Sequence, residues 1–356
     1  MKKSILTFFL SLTLLASITG CSRQVELKTG VANSETIKSC AYDVTLSAEV
    51  TGDMNSISEP GDVSSMLSAG KVSLNFNGKM LEDKDRTKIS SNVKASSAGV
   101  SFEAPMYIDS SNSKLDFDMI IGLPELLKSM MGDQLANTSY LSLASKDLES
   151  YMKSNSSAED YQKFQDSITK AMNAEDNKNT QVSKDILNTI NSYLDENEKK
   201  VQTFEKLGDK STSKNGVYTI KFSKDDIKAI ISNYLSDEKY FSNLKEVIKE
   251  AEEATEVKSE NLEDATTLIE ESNKAIDAAE VLDIVSTFTI EDNLITKTNV
   301  KFDVTSEGSN IKVEIDSKLS EINKITSITP PVTTEENTLD IMEFIQQLTQ
   351  NYFNFN

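Results

Sequence analysis

The chain contains no histidine, no tryptophan, two cysteines and five prolines, and its 37 basic residues are outnumbered by 57 acidic ones. Each shortage removes something. Without histidine there is no Ser-His-Asp triad and no His-based metal site. The net charge of −20 repels nucleic acid and anionic headgroups, so no nucleic-acid partner is expected. The acidic pairs Glu270-Glu271 and Asp116/Asp118 sit in no calcium-loop pattern with its glycine, so they read as solvated charge and no metal is expected.

What is present begins at the N-terminus. Met1-Lys2-Lys3 is followed by an uncharged stretch, Ser4 to Thr19, and then by Ile18-Thr19-Gly20-Cys21. This arrangement resembles the lipobox cut by lipoprotein signal peptidase, with residues 1–20 as the signal. A transmembrane anchor would need about 20 apolar residues, and this stretch is shorter. The resemblance implies a diacylglyceryl group on the sulfur of Cys21. Two acyl chains anchor stably where one would be marginal. The expected address is the cell membrane, lipid-anchored, facing the extracytoplasmic side, with the membrane as partner. Loss of Lys2 and Lys3 with the signal takes the charge from −20 to −22. Cys40 is then left without a partner, and with no histidine to activate it, it reads as a small apolar residue at the start of a strand.

Ser22 to Ser39 is polar and lacks periodicity; as a tether (residues 21–39) it would span roughly 20 to 25 Å on average. Period-two alternation follows. Tyr42, Val44, Leu46, Ala48 and Val50 share one face, as do Val72, Leu74, Phe76 and Met80. The pattern continues through Ile89/Val93, Val100/Phe102/Ala104/Met106/Ile108 and Leu115/Phe117/Met119. One wet and one dry face predict an antiparallel sheet covered on one side, joined by short polar turns.

The period then changes. Pro124 stands in the first turn of an expected helix, and a short strand is expected at Tyr140 to Leu143. From about 145 to 281 the pattern is mostly helical, with faces Tyr161/Phe164/Ile168/Met172, Ile186/Ile190/Leu194, Ile227/Ile230/Ile231/Leu235 and Leu262/Ala265/Ile269/Ile276. A strand at Val217 to Phe222 interrupts it. Alternation returns at Ile284/Ser286/Phe288/Ile290, Val300/Phe302/Val304 and Ile311/Val313/Ile315. Strands on both sides of a helical insertion predict an α+β domain over residues 40–330. After Pro330-Pro331, a linker leads to an expected amphipathic C-terminal helix from Leu339 to Phe355, within residues 331–356.

The strand Tyr218 to Phe222 running into Ser223-Lys224-Asp225-Asp226-Ile227, the segment Phe288-Thr289-Ile290-Glu291-Asp292, and the late pair ending near Ile322-Asn323 and Pro330 resemble Gram-positive lipoproteins of the LolA/LppX-like superfamily. The resemblance covers roughly Ala41 to Pro330. It implies a strongly curved antiparallel sheet, a half-barrel whose concave apolar face is covered by the helical insertion, and a lipid or other apolar ligand in the enclosed cavity. This chain departs from the pattern in its longer insertion and its lack of tryptophan.

Under that reading the candidate lining is Val44 and Leu46, Leu74 and Phe76, Phe102 and Met106, Phe117 and Met119, then Phe288 and Phe302. A filled core is the alternative, in which the protein is an interaction or scaffold lipoprotein that recruits an envelope protein. No catalytic residue and no cofactor is expected. Ser-x-x-Lys recurs at Ser91–Lys94, Ser167–Lys170 and Ser211–Lys214, and Lys28-Thr29-Gly30 is present. The penicillin-binding enzymes need the triplet last and a Ser-Asp-Asn element before it. Here the triplet leads, and Ser-Asp-Asn is missing.

Overall fold

A computed structural model describes residues 36–52, 70–97, 99–112, 116–125, 137–155, 160–163, 178–206, 215–255, 264–306 and 308–345, with Asn33, Lys128, Ser129, Leu135 and Ser157. Cys21 and Leu115 lie outside the described residues, as do Phe164, Ile168, Met172 and Leu262. The chain is α+β, with a twelve-stranded, mostly antiparallel sheet that does not close. The strands are β1 (Ser39–Thr51), β2 (Val72–Asp83), β3 (Arg86–Ser97), β4 (Val100–Ser111), β5 (Phe117–Gly122), β6 (Tyr140–Ala144), β7 (Gln202–Lys206), β8 (Gly216–Phe222), β9 (Val281–Glu291), β10 (Leu294–Ser306), β11 (Ser309–Ser320) and β12 (Thr338–Asp340). Their order is β12-β6-β5-β4-β3-β2-β1-β11-β10-β9-β8-β7. Between β6 and β9 lie α1 (Ser145–Asn155), α2 (Lys178–Val201), α3 (Lys224–Ser236), α4 (Glu238–Thr255) and α5 (Ala265–Ala278). Two compact units are resolved, one built chiefly from residues 45–73 and 175–318, the other from 37–44, 74–174 and 319–356.

In the first unit the alternation on β9 is complete, with Leu282, Ile284, Ser286, Phe288 and Ile290 all buried. Register carries that face across the sheet: Ile284 stands opposite Phe222 and Phe302, and Phe288 opposite Tyr218 and Thr298. The helices close it. Val182, Ile186, Ile190 and Leu194 recur at helical spacing on α2, Ile227, Ile230, Ile231 and Leu235 on α3, and Ile276 on α5; all join one hydrophobic cluster with the sheet. Burial of stripes of this kind supplies most of a helix's stability in a protein.

The start of α3 is fixed by its own sequence. Ser223 and Asp226 form a reciprocal capping box, which satisfies two backbone N–H groups that a helix start otherwise leaves open. Asp226 is only 2% exposed, yet it has further donors. The Tyr193 hydroxyl donates to Oδ1 at 2.6 Å, and Lys200 pairs with the same oxygen. The helical geometry of α2 is broken at Asn197, whose amide donates to the Tyr193 carbonyl at 3.0 Å.

Two tyrosines of this unit titrate abnormally. Burial, and then the neighbouring Asp226, push the Tyr193 hydroxyl well above the ordinary value of 10.0. Burial does the same to Tyr234, helped by the charge of Asp185. A raised folded-state pKa gives stability that is whole below the unfolded value and is lost as pH rises toward the folded one. The melting temperature should therefore begin to fall above about pH 10, and Tyr234→Phe should soften that alkaline limb. An unchanged limb in the variant, followed by thermal melts across the alkaline range, would contradict the assignment.

The second unit begins where the tether was expected to continue. Ile37 and Ser39 are buried. Asn323 Oδ1 accepts from the backbone of Lys38 at 2.7 Å, Asn323 N donates to the Ser39 carbonyl, and Ile325 N donates to Ser39 Oγ at 3.1 Å. The chain is thus clasped 286 residues apart in sequence. At the other side of this unit β12 pairs in parallel with β6. This corrects the C-terminal expectation, because Leu339 and Asp340 are strand. Asp340 Oδ1 then accepts from Met342 N at 2.7 Å, capping a helical turn at residues 341–345. Residues 346–356 lie outside the described residues.

Candidate apolar binding face

Alternation on β3 to β6 sorts the second unit's sheet into two unlike faces. On one, Arg86 Nε pairs with Asp109 at 2.6 Å and its Nη1 with Asp116 at 2.9 Å. Lys88 lies 3.9 Å from Asp109, and Asp118 stands opposite Asp109 in register. Asp116, read from the sequence as solvated charge, is a partner of Arg86.

The other face is apolar in continuous rows. Ile89 is opposite Ile108, Ile108 opposite Met119 and Met119 opposite Leu143. The next row runs Ser91, Met106, Ile121, Leu141 and Leu339, carried to the last strand by the parallel pairing of β12. Beyond them Val93 faces Ala104, Ala95 faces Phe102 and Ser97 faces Val100. No residue of these rows carries a charge.

Burial separates this face from the core of the first unit. Ile89, Met106, Ile108, Phe117, Met119, Ile121, Leu141 and Leu143 are all only half-buried. At the end of β4, Phe102 is 45% and Val100 57% exposed. By contrast, Phe288 is 1% and Phe302 2% exposed within the first unit's cluster.

The ten expected lining residues therefore do not form one set. Phe288 and Phe302 are buried in the first unit's hydrophobic cluster. Phe102, Met106, Phe117 and Met119 lie on the half-open face, and Leu74, Phe76 and Val44 are half-buried in the same unit. Leu46 is also half-buried but belongs to the first unit.

Polar groups on the dry side of β1 to β3 are few. Tyr42 Oη is hydrogen-bonded to Ser91, and Ser91 Oγ also reaches the Asn77 carbonyl at 3.4 Å. Burial pushes the Tyr42 hydroxyl and the Cys40 thiol upward, so both are uncharged at neutral pH. Ser91, one of the Ser-x-x-Lys serines, is thus a buried hydrogen-bonding group in a strand. The pairs at Ser167 and Ser211 lie outside the described residues.

No protein-family model matches this chain, and no curated protein or solved structure is significantly similar to it. Among the described residues no helix is long and apolar enough to cross a membrane. Function is therefore read from the chain's own residues. Two parts of the face gave no sequence signal of their own: Leu339, recruited by strand pairing, and the Tyr42–Ser91 bond.

Proposed function

We propose that the protein is a lipid-anchored extracytoplasmic lipoprotein that binds or carries a lipid or other apolar ligand, without catalysing a reaction. Cys21 supplies the anchor through a diacylglyceryl thioether, and the cell membrane is its partner. The observation that carries the reading is the charge-free face of β3 to β6, half-open in a chain of net charge −20. Contiguous apolar surface of this kind is costly unless something apolar covers it. Methionines at 106 and 119 give the face a side chain that adapts to irregular hydrocarbon. In the LolA/LppX-like arrangement the sheet curves as a half-barrel about its ligand and the helical insertion covers the concave side.

The test is organic extraction and mass spectrometry of the purified chain. Bound lipid in stoichiometric amount is expected. Met106→Asp and Met119→Asp should each abolish it by placing a carboxylate against hydrocarbon, while the melting temperature confirms that the variants fold. A folded chain that stays empty when offered envelope lipids would sink the carrier and favour a scaffold that recruits an envelope protein.

A further inference from the structure

The apolar face has an open end. Along β4, Val100, Phe102, Ala104, Met106 and Ile108 point to the same side, and the row passes from Val100, 57% exposed, and Phe102, 45% exposed, through the buried Ala104 to the half-buried Met106 and Ile108. The β3–β4 hairpin therefore leads from a solvent-exposed apolar tip into the interior of the face. From Ala95 to Phe102 the sequence, Ala-Ser-Ser-Ala-Gly-Val-Ser-Phe, has no formal charge, and Lys94 and Glu103 bound it. In a chain with 26% charged residues, a two-sided hairpin end without one is a surface that can leave water without stripping an ion.

We propose that this tip docks on a lipid bilayer and is the place where an apolar ligand passes between the bilayer and the β3–β6 face. The inference rests on the anchored-carrier reading and adds the site of transfer and the source of the ligand. Charge selects the occupant. The acidic bulk of the protein is repelled by anionic surfaces, so any bilayer contact has to be made by an uncharged, apolar element. Val100 and Phe102 are that element.

Geometry adds a condition. Ser39 enters the sheet beside Glu82, whose N–H donates to the Lys38 carbonyl, and β2 turns at Lys84 and Asp85 into β3. The tip is at the other end of β3, and that strand of 12 residues is about 40 Å long. From Cys21 to Asn33, ahead of the turn that the Thr36 N–H closes on the Asn33 carbonyl, the chain reaches about 40 Å at full extension, a match to that length, so an anchored protein can bring the tip to its own membrane. Two partly exposed side chains hold a bilayer only marginally, whereas tethering makes the second contact intramolecular and gives it a high effective concentration. Docking is thus a property of the anchored chain. The unlipidated chain should remain in solution when mixed with the same vesicles.

The absence of tryptophan makes the test direct. Phe102→Trp, at an exposed position, installs a single indole in the full-length chain, excited apart from its ten tyrosines. The lipidated variant is reconstituted on phosphatidylcholine vesicles, with or without bromine on the acyl chains, and separated by flotation. Docking predicts that the emission of the introduced indole moves to shorter wavelength, loses most of its intensity to the brominated chains and is shielded from aqueous iodide. Adding Val100→Asp should restore the quenching by iodide. A chain that floats while the indole stays open to iodide keeps its anchor and overturns the docking tip. Shielding from both quenchers would mean that protein covers the tip, which also overturns it. A chain that does not float overturns the anchor and, with it, the docking that depends on it.

Discussion

Replacing Asp226 with alanine should cost about 3 kcal/mol, because a buried acceptor is removed from donors that then have no partner. For a unit of this size the midpoint of thermal unfolding should fall by about 6 to 12 °C. The loss has three sources. The capping box at the start of α3 disappears, the buried Tyr193 hydroxyl loses its acceptor at 2.6 Å, and Lys200 loses its counter-charge. The last is the smallest, because Lys200 is more than half exposed and water screens such a pair. Burial by itself would raise the Asp226 pKa, but hydrogen bonds from Lys200, Ser223 and Tyr193 outweigh it and hold the carboxyl far below the usual 3.8. A depressed pKa contributes stability that is present above the unfolded value and is lost as pH falls through the folded one. Asp226→Asn should therefore flatten the acid limb of a stability–pH profile, whereas Lys200→Met should cost much less at neutral pH. Equal costs for Lys200→Met and Asp226→Ala would place the energy in the surface ion pair instead.

Gly78→Val should be about as damaging, at about 3 kcal/mol. A Cβ at position 78 would stand 2.7 Å from Ser91 Cα and 2.9 Å from the Tyr42 hydroxyl, and would meet the Ser90 carbonyl oxygen still more closely. Two of these three atoms belong to the backbone of β3, so the strands themselves would have to part. Glycine is thus used in β2 for room, with Tyr42 beside it bonded to Ser91. Denaturant unfolding of Gly78→Ala with and without Tyr42→Ala separates the two obstacles. Rescue by Tyr42→Ala would show that the side chain and not the strand backbone is what resists.

The sequence predicts the faces of this protein well and their covers poorly, for a physical reason. Alternation on β1 to β5 and β9 to β11, and the stripes on α2, α3 and α5, follow from side-chain direction in a strand or helix, which is a local property. Whether a dry face is sealed depends on what reaches it from elsewhere in the chain. Phe288 and Met106 read alike as alternating apolar residues; one is buried in a hydrophobic cluster and the other is half-buried. The two short outer strands are illegible for a related reason. Gln202 to Lys206 has one large apolar residue, Phe204, and becomes strand through pairing with β8, where its ring lies 4.6 Å from that of Tyr218. Thr338 to Asp340 lies at the start of a helical repeat, and the open edge of β6 captures it. Pairing supplied by a partner strand outweighs the local pattern in both.

The clasp between Ser39 and Ile325 has a kinetic consequence. In the finished sheet β1 lies between β2 and β11, and one of those neighbours is made long after the other. Residues 39 and 325 are 286 apart in sequence, so in an exported chain an interval passes between their arrivals outside the membrane. Closing a loop of that length carries an entropic penalty of about 5 kcal/mol before any contact repays it. Throughout that interval one edge of a 13-residue strand offers free N–H and C=O groups to any extended chain nearby. Folding should therefore be slow and gated by the last third of the polypeptide. Truncation before Asn323 should yield aggregates instead of a smaller folded protein, and cells that make this chain would need to shield β1 until its far neighbour arrives.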